Sequence, residues 1–215
     1  MSPELIQATV SGVHADVGIA LDGDGDRLVM VDHLGRIADG DQLLYVIASD
    51  RKRSGTLQGP VVGTVMSNLG LEQKLRAEGV EFLRAKVGDR YVLAMLKEHG
   101  GVLGGETSGH LLCLDRTTTG DGLVSALEVL AVMKRTGRPL AELVAGMPKF
   151  PQVMINVRVR ERIDPSQSQV IQDAVRRVEK VLGSTGRVVL RASGTEPVIR
   201  VMIEAEDEAV ASRYA

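Results

Sequence analysis

The chain has 215 residues with 26 basic and 28 acidic side chains, a near-even balance that argues against a nucleic-acid binder driven by net positive charge. Hydrophobic residues make up a globular 44%, yet there is no Trp and only two Phe and three Tyr. The core must therefore be aliphatic, and no base-stacking platform is expected.

The length suits two domains, or one and a half. No apolar run approaches the ~20 residues that a bilayer-spanning helix needs. The opening Met-Ser-Pro-Glu-Leu also lacks the basic start of a signal peptide. The expectation is a soluble cytoplasmic protein with no nucleic-acid and no membrane partner. Cys113, the single cysteine, cannot form an internal disulfide, and its apolar run 111–114 marks it as a small buried hydrophobe.

In chain order, residues 16–21 and 28–32 predict two strands flanking an acidic loop, with a turn at 33–35. Residues 40–52 predict a helix closed at Gly55, 60–65 a strand, 68–78 a helix ended by Gly79, and 81–85 a strand. A helix over 89–99 stops at Gly100-Gly101, and short strands at 102–103 and 110–114 flank a glycine-rich loop. Residues 123–134 are apolar on almost every side, which predicts a buried helix. Strands alternating with helices make an α/β layered fold.

The pattern shifts around Gly146-Met147-Pro148. Val153, Ile155, Val157 and Val159 alternate with polar or exposed positions, the period of a half-exposed strand. Asp164-Pro165 sets an N-cap. A helical stripe of Val170, Ile171, Ala174, Val175, Val178, Val181 and Leu182 follows. Strands at 187–191 and 198–204 complete a small β-α-β-β, α+β domain. In the last strand Ile199, Val201 and Ile203 are expected inside, with Val198, Arg200, Met202 and Glu204 outside. Both ends look cut: one helix and one strand precede the acidic loop, and the final helix from about Asp207 runs only about two turns.

Asp22, Asp24 and Asp26 alternate with glycines, so their carboxylates can converge on one hard cation, Mg²⁺ being the best fit. An EF-hand fails by position, since the sixth residue is Arg27 and the twelfth His33, and the flanks are strands. Three carboxylates leave coordination positions open for a phosphate oxygen, and Arg27 adds a permanent cation beside them. The alternative is a polar turn with solvated aspartates.

The loop G-G-E-T-S-G-H (104–110) sets Glu106, Ser108 and His110 between strands, where they can hydrogen-bond sugar hydroxyls; a hairpin turn with incidental polar residues is the alternative. R-A-S-G-T-E-P (191–197) offers Arg191, Ser193, Gly194 and Thr195 as an anion-binding turn, with Arg200 on the next strand; an ordinary turn with a surface arginine is the alternative. Lys86 and Arg90 lie at a strand-to-helix turn that also suits an anion; Asp89 as an N-cap with solvated basic neighbours is the alternative.

These motifs, in this order, resemble the α-D-phosphohexomutase family. D-G-D-G-D-R is similar to its metal loop, G-E-T-S-G-H to its sugar loop and R-A-S-G-T-E-P to its phosphate loop. K-V-G-D-R-Y-V (86–92), T-T-T-G-D-G (117–122), F-P-Q-V-M-I-N-V-R (150–158) and residues 187–202 further resemble its bacterial glucosamine-phosphate branch. The resemblance implies three parts: 1–37 as the incomplete end of the second domain, 38–147 as the third, and 148–215 as the fourth, clipped at its C-terminus.

It also implies Mg²⁺ on Asp22, Asp24 and Asp26, with Arg27 and His110 in the catalytic cleft. Sugar phosphate would be bound by Lys86, Arg90, Glu106, Ser108, Arg191, Ser193, Gly194, Thr195 and Arg200. The implied reaction interconverts glucosamine 6-phosphate and glucosamine 1-phosphate through a phosphoserine and a hexosamine 1,6-bisphosphate. The family's phosphoserine precedes His-Asn, and no serine of this chain does, so the chain alone is expected to be inactive. A homodimer of the intact enzyme is compatible. The competing readings are a phosphomannomutase or phosphoglucomutase, and a non-catalytic Mg²⁺-dependent sugar-phosphate binding module.

Overall fold

Val61 and Val62 turn to opposite faces of one sheet, and the two cores of the first unit grow from that alternation. The computed structural model describes residues 3–193 and 196–215. The chain divides into two units, Met1–Pro148 and Lys149–Ala215.

The first unit begins with α1 (Pro3–Val13) and an antiparallel sheet of β1 (Val17–Leu21), β2 (Leu28–Asp32) and β3 (Ile37–Ala38). It continues through α2 (Gly40–Arg53), β4 (Val61–Thr64), α3 (Leu69–Ala77), β5 (Phe82–Ala85) and α4 (Asp89–His99). β6 (Leu103–Gly105), β7 (Leu111–Cys113), α5 (Gly122–Thr136) and α6 (Leu140–Val144) complete it. Its second sheet has the order β5-β4-β6-β7, with β4 parallel to both neighbours and β7 antiparallel to β6. All four residues of β4 are buried, as expected for a parallel strand covered on both faces.

One face of that sheet packs Val61, Leu103, Leu111 and Cys113 against Leu43, Leu44 and Ile47 of α2 and Val129 of α5. The other packs Val62, Ala85 and Leu112 against Val92 and Leu96 of α4. Local caps set where the helices start. Asp39 and Gln42 form a capping box on α2, while Asn68 and Asp121 cap α3 and α5. No described helix is long and apolar enough to cross a membrane.

The second unit comprises β8 (Gln152–Arg158), α7 (Gln169–Leu182), β9 (Gly186–Ala192), β10 (Val198–Ala205) and α8 (Glu208–Tyr214). The antiparallel sheet order is β8-β10-β9. Asp164 caps a short 3-10 turn, 165–167, ahead of α7. Leu182, Ile203, Ala205 and Ala211 form the core on one sheet face, with Val153, Val178, Val188 and Val201 packed against them.

Four expectations are corrected. Helix α5 is not buried all round: Leu123 and Leu127, one turn apart, are 57% and 55% exposed, while Ser125, Ala126, Val129 and Val132 face inward with Leu130 and Met133 packed beside them. On α7, Val170 and Val181 are 78% and 62% exposed, because eleven residues amount to about three turns and set both at the margin of the stripe. In β8, Ile155 and Val157 are exposed, since it is an edge strand and the core gathers at its Val153 end. In β10, Met202 and Glu204 are buried rather than outward. Glu204 can be buried because it accepts hydrogen bonds from Gln152 and Arg187 in register beside it.

Candidate functional site

The acidic loop is the tip of the β1–β2 hairpin, which pairs down to Leu21 opposite Leu28. Backbone bonds close it: Gly25 N–H donates to the Asp22 carbonyl (3.2 Å) and Asp22 N–H to that of Arg27 (3.4 Å). Gly25 holds φ +74°, a left-handed conformation that favours glycine. The Arg27 amide donates to Asp22 Oδ1 at 3.0 Å, and the exposed Arg27 guanidinium lies 3.8 Å from Asp22 Oδ2. Burial pushes the Asp22 carboxyl up, but the Arg27 amide, Asp26 and the Arg27 charge together hold it below the ordinary carboxylate value.

Asp22, Asp24 and Asp26 offer ligand atoms within 4.8 Å of one another. Asp26 Oδ1 is buried and has no hydrogen-bond partner among the described residues. Converging carboxylates with one orphaned oxygen are the donor set of a hard divalent cation.

The glycine-rich loop docks on this tip. Arg27 and His110 form an antiparallel bridge, and Leu28 N–H donates to the Gly109 carbonyl at 3.0 Å. Gly109 has φ +91°, and a Cβ there would lie 2.0 Å from the Leu28 carbonyl oxygen, so only glycine permits the contact. His110 is 6% exposed and its Nδ1 is 3.0 Å from Asp26 Oδ2. Its Nε2 faces Gly120, where a Cβ would come within 2.1 Å. Gly122, at the start of α5, donates its N–H to the Gly25 carbonyl (2.9 Å) and fixes the tip from a third side.

The basic turn meets the same loop. Gly88 N–H donates to Glu106 Oε1 at 2.8 Å. Exposed Lys86 and Arg90 both lie over the Tyr91 ring, and Arg90 donates to the Tyr91 hydroxyl at 2.8 Å. Ser108 is exposed at the loop's outer edge. Thus Arg27, Lys86, Arg90, Glu106, Ser108, His110 and the three aspartates share one connected set of loops.

In the second unit, Arg191 and Arg200 are direct cross-strand partners, and Asn156 is the partner of Arg200 on the other side. Ser193 is buried; its N–H donates to the Val198 carbonyl at 2.8 Å, and its hydroxyl accepts from the Glu196 N–H at 3.3 Å. Gly194 and Thr195 lie outside the described residues.

Sequence reasoning missed Asp41. This carboxylate is fully buried, with Oδ2 accepting from the Asn68 N–H (2.9 Å) and the Thr107 hydroxyl (2.7 Å). It ties the glycine-rich loop to the turn after β4. Burial raises its pKa to about 6. An Asp in the first turn of a helix ordinarily signals only a favourable dipole, so no pattern marked it. Tyr91 was also missed, and its signal was available: an aromatic side chain directly after two spaced cations.

The chain belongs to the phosphoglucomutase/phosphomannomutase family: residues 39–150 match its alpha/beta/alpha domain III and residues 154–215 its C-terminal domain. It is 59% identical over 206 residues to a phosphoglucosamine mutase of Methylococcus capsulatus, covering 96% of this chain and 46% of that protein. Over 215 residues it is 58% identical to one of Alkalilimnicola ehrlichii, covering 100% and 48%. The chain therefore spans about half the length of the curated relatives it matches.

Among solved structures, a phosphoglucomutase/phosphomannomutase family protein from Burkholderia thailandensis aligns with TM-score 0.78 at 26% identity, over 99% of this chain and 48% of that one. N-acetylphosphoglucosamine mutase of Aspergillus fumigatus, in complex with GlcNAc-6P and magnesium, shares the fold with TM-score 0.76 at 22% identity, over 93% and 47%.

Proposed function

We propose that this chain is the metal- and sugar-phosphate-binding part of a phosphoglucosamine mutase, which interconverts glucosamine 6-phosphate and glucosamine 1-phosphate in the cytoplasm for amino-sugar and cell-wall precursor synthesis. In this reading 1–37 is the end of the second domain, 38–147 the third and 148–215 the fourth. The observation that carries it is the docking of the three-aspartate tip onto the glycine-rich loop through Arg27, Leu28, Gly109 and His110.

Asp22, Asp24 and Asp26 hold Mg²⁺, which when bound supplies charge neutralisation for a phosphoryl oxygen. Arg27, exposed beside them, steadies charge on the same phosphoryl group, and His110 fixes Asp26 from behind. Glu106 and Ser108 bind sugar hydroxyls; the Gly88 amide orients the Glu106 carboxylate. Lys86 and Arg90 supply positive charge at the rim. Arg191, Ser193, Gly194, Thr195 and Arg200 hold the phosphate that is not being transferred. The transferred group resides on a phosphoserine of the intact protein, with hexosamine 1,6-bisphosphate as intermediate, and a homodimer of the intact protein is compatible with this reading.

The test is divalent-ion binding by this chain, followed by Mn²⁺ electron paramagnetic resonance with Mg²⁺ competition. One tight site, lost in Asp24→Asn, is expected; binding unchanged in that variant refutes the metal assignment.

A further inference from the structure

Two rows of side chains cross the same face of the second unit's sheet. Gln152, Glu204 and Arg187 are mutual register partners on β8, β10 and β9, and so are Asn156, Arg200 and Arg191. Residues 204 and 200 are four apart on β10, so both rows project from one face.

The first row is internally satisfied. Its central residue is an acceptor, and Glu204 takes hydrogen bonds from Gln152 on one side and Arg187 on the other. The second row has the same layout with its central residue inverted to a donor. Arg200 stands between an amide and a second guanidinium, and like charges placed directly opposite repel. Among the described residues no ion pair or side-chain hydrogen bond engages Asn156, Arg191 or Arg200.

Arg158 lies one further step along β8, opposite Val198 and therefore diagonal to Arg200 on the same face. It is exposed and likewise has no side-chain partner among the described residues. Asn156, Arg158, Val159, Glu196, Pro197, Val198 and Arg200 together line a cleft of about 370 Å³. Its walls come from β8, from residues 196–198 and from Arg200, so the cleft lies on the β8 side of Arg200.

We propose that this cleft completes an anion site, with Arg158 and Asn156 of β8 joining Arg200 around a phosphate monoester, so that the acceptor missing from the second row is supplied by the ligand. The proposal rests on the phosphate-loop reading of residues 191–200 and extends it to a strand that the motif does not include. Arg158 is then a specificity-determining residue: its guanidinium sets a preference for a doubly charged phosphate over a singly charged anion.

The test uses the ¹⁵N-labelled chain, titrated with inorganic phosphate and, separately, with glucosamine 6-phosphate at fixed ionic strength, for wild type, Arg158→Gln and Arg191→Gln. Amide shifts over 156–159 and 196–200 are expected with both probes, and Arg158→Gln is expected to weaken binding about tenfold, as for loss of one charge-assisted hydrogen bond. Shifts with glucosamine 6-phosphate alone mean that the sugar is required and still support the site. Unchanged affinity in Arg158→Gln, with binding lost in Arg191→Gln, overturns the role of β8 and leaves the phosphate loop standing. No binding of either probe by wild type overturns both. Because Arg158 is exposed, its replacement leaves the fold intact, which an unchanged melting temperature verifies.

Discussion

Arg191 and Arg200 face each other directly across the β9–β10 ladder, two guanidinium groups in register with no acidic partner among the described residues. Such opposition costs a few tenths to about 1 kcal/mol. Arg200→Gln should therefore stabilise the ligand-free chain by about that amount while weakening phosphate binding. Urea unfolding with and without phosphate measures both, and a destabilised ligand-free variant counts against the argument.

On the proposed phosphate role, Arg191→Ala in the intact protein removes a charge-assisted contact to the phosphate of a bound sugar phosphate. Substrate binding should weaken by about 1.5–3 kcal/mol. Calorimetric titration with glucosamine 6-phosphate checks this, and an unchanged affinity ends the phosphate role of Arg191.

His110 braces Asp26, and Gly120 leaves just enough room for its ring. Gly120→Ala should push the imidazole off Asp26 without touching any carboxylate. A loss of divalent-ion affinity of about 10- to 100-fold is expected, the range for residues that orient metal ligands. Retained Mn²⁺ affinity in a folded Gly120→Ala chain would falsify the brace.

Asp41 makes stability depend on pH in a defined window. Its folded pKa is raised from 3.8 to about 6. The folded state thus holds the proton more tightly, and its advantage is full below the unfolded value and lost as pH rises through the folded one. The stability of wild type relative to Asp41→Asn should fall between about pH 4 and 6.5, by up to about 3 kcal/mol at 1.36 kcal/mol per unit. Paired urea melts across that range test it; a flat difference contradicts the assignment.

Cys113 is 1% exposed, and burial pushes its thiol up to about 11. It should resist a thiol reagent at pH 8 until the chain unfolds. Stoichiometric labelling of native protein within minutes would show that the site opens locally.

Much of the fold was legible because local chemistry and tertiary structure agree. Asp39 and Gln42 cap where the helical period begins, and Gly100 and Gly137 end helices in left-handed conformations. Hydrophobic composition failed where exposure depends on what covers an element. Leu123 and Leu127 have the same character as Val129, and no local feature says that only one side of α5 is covered. Glu204 is the converse case: a charge is buried because Gln152 and Arg187 arrive from strands about 50 residues before and 17 residues before it. The site motifs were legible as separate clusters. Their convergence was implied by the family resemblance alone, since it depends on backbone contacts such as Leu28 to Gly109, which leave no side-chain signature. Asp41, Asn156 and Arg158 were hidden because tertiary placement, not residue type, gives them their neighbours: a turn and a loop for Asp41, strand register for the other two.

The match to the family's domain III begins at residue 39, yet the bridge between Arg27 and His110 spans that point. A genetic crossover at residue 38 would inherit three carboxylates from one parent and the histidine and glycines that seat them from another. Gly109 tolerates no side chain against Leu28, and Gly120 none against His110, so mismatched parents would yield hybrids with poorly seated ligands. For recombination, the heritable module is the hairpin together with the loop it rests on, and chimeras joined before Val17 should outperform those joined at residue 38.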